Sequence, residues 1–241
     1  MLLIGRSTRL SRYVTGLDKA YTATARFGAV SDTLDADGEI TPVGTPMPDE
    51  DAIRAALPEL TGDLLQVPPM ASALKREGVR LYDLHRRGLT VEREPRPVTV
   101  HALKLCATER ENDTATFEIS CTSGTYVRTL VADLAKRLGT GAYLTALRRT
   151  RVGHLTVEGA AVTGALTPIT IHNHIIQSVE AVAHLPRVEV GREGERAVRS
   201  GRALPAQGLV GSFRVEHVGT LLGVYRDADG EARAEVVLCA G

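Results

Sequence analysis

Tyr126 and Arg128 stand where a phenol and a guanidinium could work on a bound ligand. They lie in the run Cys121-Thr-Ser-Gly-Thr-Tyr-Val-Arg-Thr-Leu-Val-Ala-Asp-Leu-Ala-Lys-Arg-Leu138. Thr122-Ser123-Gly124-Thr125 predicts a tight polar turn. Leu130, Val131, Leu134 and Leu138 then recur at helical spacing, and Gly139 supplies the stop. Thr114 to Ser120 alternates polar and apolar as a strand does. A strand, a turn and a helix in that order set free N–H groups of the helix N-terminus beside the turn, which suits an anion. Neither Tyr126 nor Arg128 belongs to the apolar face, so both are free to point into a pocket. A guanidinium in a first turn also commonly pairs with a carboxylate or with solvent, and that reading stands beside the ligand-binding one.

The elements that must position this junction follow from the periodicity. Ala20 to Phe27 alternates, with Tyr21, Ala23, Ala25 and Phe27 on one side, and predicts a half-buried strand. Asp32, Asp35, Asp37 and Gly38 have the spacing of a calcium loop, but the bidentate glutamate is missing. A turn whose acids hold local backbone or an arginine is the expectation. Asp49 to Leu57 predicts a short helix, and Gln66-Val-Pro-Pro-Met70 a rigid extended segment. The stretch from Ser72 to Gly88 is basic, carries Tyr82 and suits an RNA-gripping arm. Pro97 to Leu105 and Thr114 to Cys121 are expected to pair as strands. Gly141 to Arg149 is expected to form a second helix, and Arg151 to Val157 another strand. A boundary is expected near Leu185-Pro186. Short strands follow it, with a hairpin turn at Asp227-Ala-Asp-Gly230.

Bulk properties restrict the function classes. The 241 residues are 43% hydrophobic and 24% charged, as in a globular protein with a full core. No apolar run is long enough to span a bilayer. Arg6, Arg9 and Arg12 interrupt the apolar start, so no signal peptide is expected and the cytoplasm is the expected compartment. Three scattered cysteines support neither a disulfide frame nor a metal site, and His172 and His174 have no third partner in view. Formal net charge is zero, but residues 128–151 hold six basic side chains against Asp133 alone, a local excess that a phosphate backbone would want.

The chain resembles the TruB-type tRNA pseudouridine synthases. The resemblance is carried, in order, by Arg6-Ser-Thr-Arg-Leu10, Lys19-Ala-Tyr21, Arg26-Phe-Gly28, Asp32-Thr-Leu-Asp35-Ala-Asp-Gly38, Gln66-Val-Pro-Pro-Met70, Ser72-Ala-Leu-Lys75, Arg80-Leu-Tyr82, Glu92-Arg-Glu-Pro-Arg-Pro-Val98, Ser123-Gly-Thr-Tyr-Val-Arg-Thr129 and Leu147-Arg-Arg149. It implies an α+β fold: a mixed, largely antiparallel sheet flanked by helices, with a small β-rich PUA-like C-terminal domain. Residues 1–185 would be the catalytic domain, 69–97 a thumb-like segment within it, and 186–241 the PUA-like domain. The implied activity is isomerisation of uridine 55 in the TΨC loop of tRNA, without cofactor or metal, by a monomer that grips the T arm. Tyr21 would stack on the flipped base and is a candidate for removing the C5 proton. Arg128 would hold the catalytic aspartate. Tyr126 and Leu147 would line the uridine pocket, and Lys75, Arg148 and Arg149 would contact phosphates.

The chain departs from the family at its start. The motif G-H-x-G-T-L-D-P, which carries the nucleophilic aspartate, precedes the segment that matches Leu2-Leu3-Ile4-Gly5, and here only Met1 does. Asp32, Asp35 and Asp37 match a different motif. The nucleophile is therefore expected to be absent from this chain, which would be inactive as written unless Met1 is a misassigned start within a longer frame. Arg128 would be left without its carboxylate, and removing one partner of a buried pair typically costs about 3–5 kcal/mol. Leu2 to Ile4 is expected to be buried. The alternative is a catalytically inactive tRNA-binding or folding module.

Overall fold

The structure is a computed structural model and describes residues 1–76 and 78–239. In chain order the first half forms α1 (Ser11–Thr15), β1 (Lys19–Phe27), β2 (Ala29–Ser31), β3 (Ile40–Pro42), α2 (Glu50–Ala56), β4 (Gly62–Gln66), β5 (Lys75–Arg76), β6 (Val79–Arg80) and α3 (Leu81–His85). There follow β7 (Arg96–Glu109), β8 (Thr114–Cys121), α4 (Val127–Arg137), β9 (Ala142–Val152), β10 (Leu155–Thr156), α5 (Ser178–Ala181), β11 (Arg187–Glu189), α6 (Arg192–Arg199), β12 (Leu204–Pro205), β13 (Ser212–His217), β14 (Thr220–Ala228) and β15 (Glu231–Val237). Among the described residues no helix is long and apolar enough to cross a membrane.

Two compact units emerge: residues 18–152, and residues 1–17 together with 153–241. In residues 18–152 five antiparallel strands lie in the order β9-β1-β8-β7-β4. The period-two pattern of β1 buries Ala23, Ala25 and Phe27 and leaves Arg26 exposed. Ile53 of α2 and Leu130, Val131, Leu134 and Ala135 of α4 cover that face and share its core with Phe117 and Ile119 of β8. Helix α4 stops as its sequence dictates. Gly139 has φ of 71°, and Thr140 and Gly139 donate to the carbonyls of Ala135 and Lys136, which closes a Schellman motif.

The expected helix over 141–149 is instead strand β9. Ala142, Leu144, Ala146 and Leu147 are good helix formers, but β1 pairs with β8 along only one of its edges. The N–H and C=O groups on its other edge need partners, and β9 supplies them along the full length of β1. The strand expected from Arg151 to Val157 is reduced to the end of β9, a turn, and the two residues of β10.

Burial of the partly buried Asp133 on α4 pushes its carboxyl above the ordinary value of 3.8, against the pull of Arg137 and Lys136. The folded chain thus holds this proton more tightly than the unfolded chain, and stability falls as pH rises from 3.8 through the raised value. Asp133→Asn is expected to raise the free energy of urea unfolding at pH 7 by less than about 1 kcal/mol, and to give no gain near pH 3, where both states are mostly protonated.

In the second unit the sheet order is β11-β13-β14-β15-β12, with β11 parallel to β13 and the other pairs antiparallel. Val198 of α6 packs with Phe213, Val215 and Tyr225 in one core cluster. Leu10 and Val182 pack with Leu221, Val224 and Val236 in another. The hairpin predicted at 227–230 forms, with Asp229 and Gly230 both at positive φ, as a type I′ turn requires. The units divide at 152/153, and in the second of them Leu10 and the α5 segment bury their apolar side chains against β14 and β15. Leu2 and Ile4, expected to be buried, are 77% and 64% exposed. They form neither strand nor helix, so no ladder or stripe aligns them with a core.

Candidate functional site: the β1–β9 face and the N-terminus of α4

The site is built on residues 18–152. Tyr21 lies on the face of β1 that carries Ala23, Ala25 and Phe27, and it packs against the edge of the core that they share with α4. Directly opposite residues of an antiparallel pair share a face. Tyr21 opposes Arg149 and Ala23 opposes Leu147, so Tyr21, Leu147 and Arg149 lie together. Arg148 opposes Thr22 and projects to the other face. Burial pushes the Tyr21 phenol above its ordinary pKa, and a hydrogen bond from Arg149 pulls it back. Lys19, two residues earlier on the same strand, has its ammonium pushed down by burial and by Arg149. Leu147 is 47% exposed, an apolar side chain left open beside the phenol.

Arg128 occupies the first turn of α4, and its guanidinium is fully engaged in one direction. Its Nη1 donates to Asp35 Oδ2 at 2.7 Å and to the Thr33 carbonyl at 3.0 Å. Its Nη2 donates to the Ala71 carbonyl at 2.6 Å. Asp35 is held in turn by Thr33 Oγ1 at 2.6 Å and by the Asp37 N–H at 3.2 Å. The expectation that Arg128 lacks a carboxylate is therefore corrected: Asp35 is its partner. The acidic turn does what its sequence suggested, holding local backbone and an arginine; Asp32 likewise accepts from the Glu39 N–H at 2.8 Å. The local positive excess over 128–151 is reduced accordingly, since Arg128 pairs with Asp35 and Arg137 with Glu59.

Tyr126 precedes the first residue of α4 in extended conformation, with φ of −97° and ψ of 103°. Its backbone is gripped by a residue to which sequence assigned no role. Gln66, at the end of β4, is 3% exposed. Its Oε1 accepts from the Tyr126 N–H at 2.7 Å and its Nε2 donates to the Tyr126 carbonyl at 3.1 Å. The Tyr126 N–H, just ahead of the helix, is thus already spent. The signal for Gln66 was a lone amide at a strand end ahead of Val-Pro-Pro, visible as a motif but silent about its partner 60 residues away.

The segment 69–97 departs from that same strand end. Tyr82 and Leu81 donate from their N–H groups to Ser72 and Leu74 and fold it back on itself. Lys75 on β5 is exposed. His85 of α3 reaches Asp32 of the acidic turn, Nε2 to Oδ2, at 3.2 Å. The structure therefore brings together Tyr21, Leu147 and Arg149 on one sheet face, and Tyr126 with Arg128 on the start of α4. Lys75 lies on the arm, and Arg148 faces away.

A phenol beside an open apolar side chain, on a sheet next to a basic arm, is an arrangement that can receive a flat base and hold its backbone. Comparisons with known proteins show the family. The TruB family pseudouridylate synthase N-terminal domain matches residues 1–127, and the tRNA pseudouridylate synthase B C-terminal domain matches residues 128–166. The tRNA pseudouridine synthase B of Aromatoleum aromaticum is 42% identical over 227 residues, which span 92% of this chain and 73% of that protein. That of Cupriavidus metallidurans is 39% identical over 252 residues, 97% of this chain and 79% of that protein. Among solved structures, a Cbf5-Nop10-Gar1 complex contains a chain that superposes with a TM-score of 0.73 at 21% identity, covering 98% of this chain and 71% of that one. An H/ACA RNP bound to a substrate RNA containing 2′-deoxyuridine gives 0.68 at 18% identity and supports the same α+β fold. The chain belongs to the TruB family of tRNA pseudouridine synthases.

Proposed function

We propose that the chain acts on uridine 55 in the TΨC loop of tRNA and that the β1–β9 face receives the flipped base. The observation that carries this is Tyr21 opposite Arg149 with Leu147 exposed beside them. Pseudouridine formation breaks the C1′–N1 bond, turns the uracil and rejoins it through C5, so the base must leave its stack and be held while detached. Tyr21 stacks on the base and is positioned to take the C5 proton. Tyr126 and Leu147 line the uridine pocket. The protein acts as a monomer whose thumb-like segment 69–97, with Lys75, clamps the T arm; Arg149 contacts phosphate beside the base, and Arg148, which projects to the other sheet face, contacts phosphate away from it. Residues 186–241, the sheet with α6, are its PUA-like RNA-binding module, and the cytoplasm, where tRNA is modified, is its compartment. The proposed reaction uses neither metal nor cofactor.

The resemblance assigns the nucleophile to an aspartate in a motif that the 241 residues do not contain. The roles above are therefore binding, stacking and proton transfer, and Arg128 is the residue that would hold that aspartate. The test is to incubate the 241-residue chain, and the chain preceded by the family's G-H-x-G-T-L-D-P motif, with unmodified tRNA. Both are expected to bind the T arm, and only the second to form pseudouridine. Product from the 241 residues alone would place the chemistry on a carboxylate within them, with Asp35 the first to substitute. No binding by either would end the tRNA reading.

A further inference from the structure

We infer that Gln66 is a positioning residue that locks the wall of the uridine pocket to the root of the thumb-like arm. The inference rests on the pocket reading above, in which Tyr126 and Arg128 belong to the base site. Its basis is geometric. Gln66 is the last residue of β4, where the chain leaves the sheet for the arm. Its carboxamide is sealed from solvent and spends both functional ends on one residue, Tyr126. A primary amide can do this because it presents an acceptor and a donor on one planar group, matched to the N–H and C=O of a single extended residue. The Tyr126 carbonyl also accepts the first helical bond of α4, from the Leu130 N–H at 3.0 Å. Gln66 therefore sets where α4 begins.

A second tie runs parallel to the first. Arg128, two residues further along, donates to the carbonyl of Ala71 at 2.6 Å. The arm's root, residues 66–71, is thus fastened to the start of α4 at Gln66–Tyr126 and at Ala71–Arg128. The same guanidinium holds the acidic turn through Thr33 and Asp35, and His85 of the arm reaches Asp32 of that turn. Arm, acidic turn and helix start form a closed ring of contacts. An RNA that seats on the arm therefore bears on the pocket wall through these two ties at the arm's root. Gln66 touches no RNA in this scheme; it acts through Tyr126.

The experiment compares, by fluorescence anisotropy, binding of a T-arm stem-loop that carries uridine at the target position with one abasic there. Wild type is expected to prefer the uridine RNA. Gln66→Met keeps the volume and loses both bonds; its preference is expected to fall by about tenfold, with abasic binding held within about twofold. Gln66→Glu keeps the acceptor but replaces the donor with a second oxygen facing the Tyr126 carbonyl. Its preference is expected to be lost at pH 8 and to return toward pH 5.5, as the introduced carboxyl takes up a proton and donates again. Abasic binding by Gln66→Glu held within about twofold at pH 8, while its uridine preference is lost, separates positioning from loss of folding, which would lower both, and keeps the test decisive where Gln66→Met fails to fold. Wild-type preference in Gln66→Glu at every pH would overturn the inference while leaving the pocket reading intact. Absence of any preference in wild type would sink the pocket reading and this inference together.

Discussion

Tyr21→Phe is expected to leave tRNA binding within about twofold and to cut pseudouridine formation by about 10²–10⁴-fold, the range for loss of a positioned acid or base. The ring and its place on β1 remain, so stacking on the base is kept. What is lost is the hydroxyl, which burial holds above its ordinary pKa and which Arg149 pulls the other way. The pH dependence has a definite sign. A phenol that must lose its proton to act as a base gives a rate that rises with pH until it ionises. Arg149 favours the ionised form, so Arg149→Gln is expected to move that rise to higher pH and to lower the rate at pH 7.5. The measurement is release of tritium from C5-labelled uridine in tRNA, made on the chain carrying the family's aspartate motif. Full turnover by Tyr21→Phe would remove Tyr21 from the chemistry and leave it a stacking platform.

Arg128→Met is expected to lower stability by about 2–3 kcal/mol and, in the chain carrying the family's aspartate motif, to abolish product formation. Losing one partner of a buried pair costs about 3–5 kcal/mol, and solvent around Asp35 reduces that figure here. The Arg128 and Asp35 side chains are 22% and 26% exposed. The loss includes three acceptors on two separate loops: Asp35, the Thr33 carbonyl and the Ala71 carbonyl. Asp35→Asn keeps an oxygen acceptor and leaves the two carbonyl contacts in place, so it is expected to lose less than half as much. Urea unfolding of the four chains of a double-mutant cycle reads the coupling, expected at about 1–2 kcal/mol. Additivity of Arg128→Met and Asp35→Asn would show that the pair contributes no more than its separate contacts with backbone.

Arg128 gives the acidic turn a partner. Read alone, Asp32, Asp35 and Asp37 are a loop with too few ligands for a cation. In the fold, Asp35 accepts from Thr33, from the Asp37 N–H and from Arg128, so its carboxylate is already shared among three donors. A carboxylate so occupied is a structural partner that fixes the arginine's direction. The sequence already separated these acids from the family's nucleophile, and the geometry gives them a task of their own.

What the sequence by itself determined is the part written in short-range periodicity. The alternation of β1 put Tyr21 on the buried face with Ala23, Ala25 and Phe27, and the turn, helix and Gly139 stop of 121–139 formed where the pattern placed them. The Asp229-Gly230 turn and the family motifs were equally legible, since each depends on residues a few positions apart. Tertiary structure decided the rest. Residues 142–152 became a strand because the open edge of β1 needed hydrogen-bond partners more than a run of helix formers needed a helix. Leu147 and Arg149 joined Tyr21 only through that pairing. Arg128 found Asp35 93 positions away and Gln66 found Tyr126 60 away. No local pattern encodes such contacts: a single carboxylate or amide reads the same whether it meets water or a partner, and only the packed chain settles which.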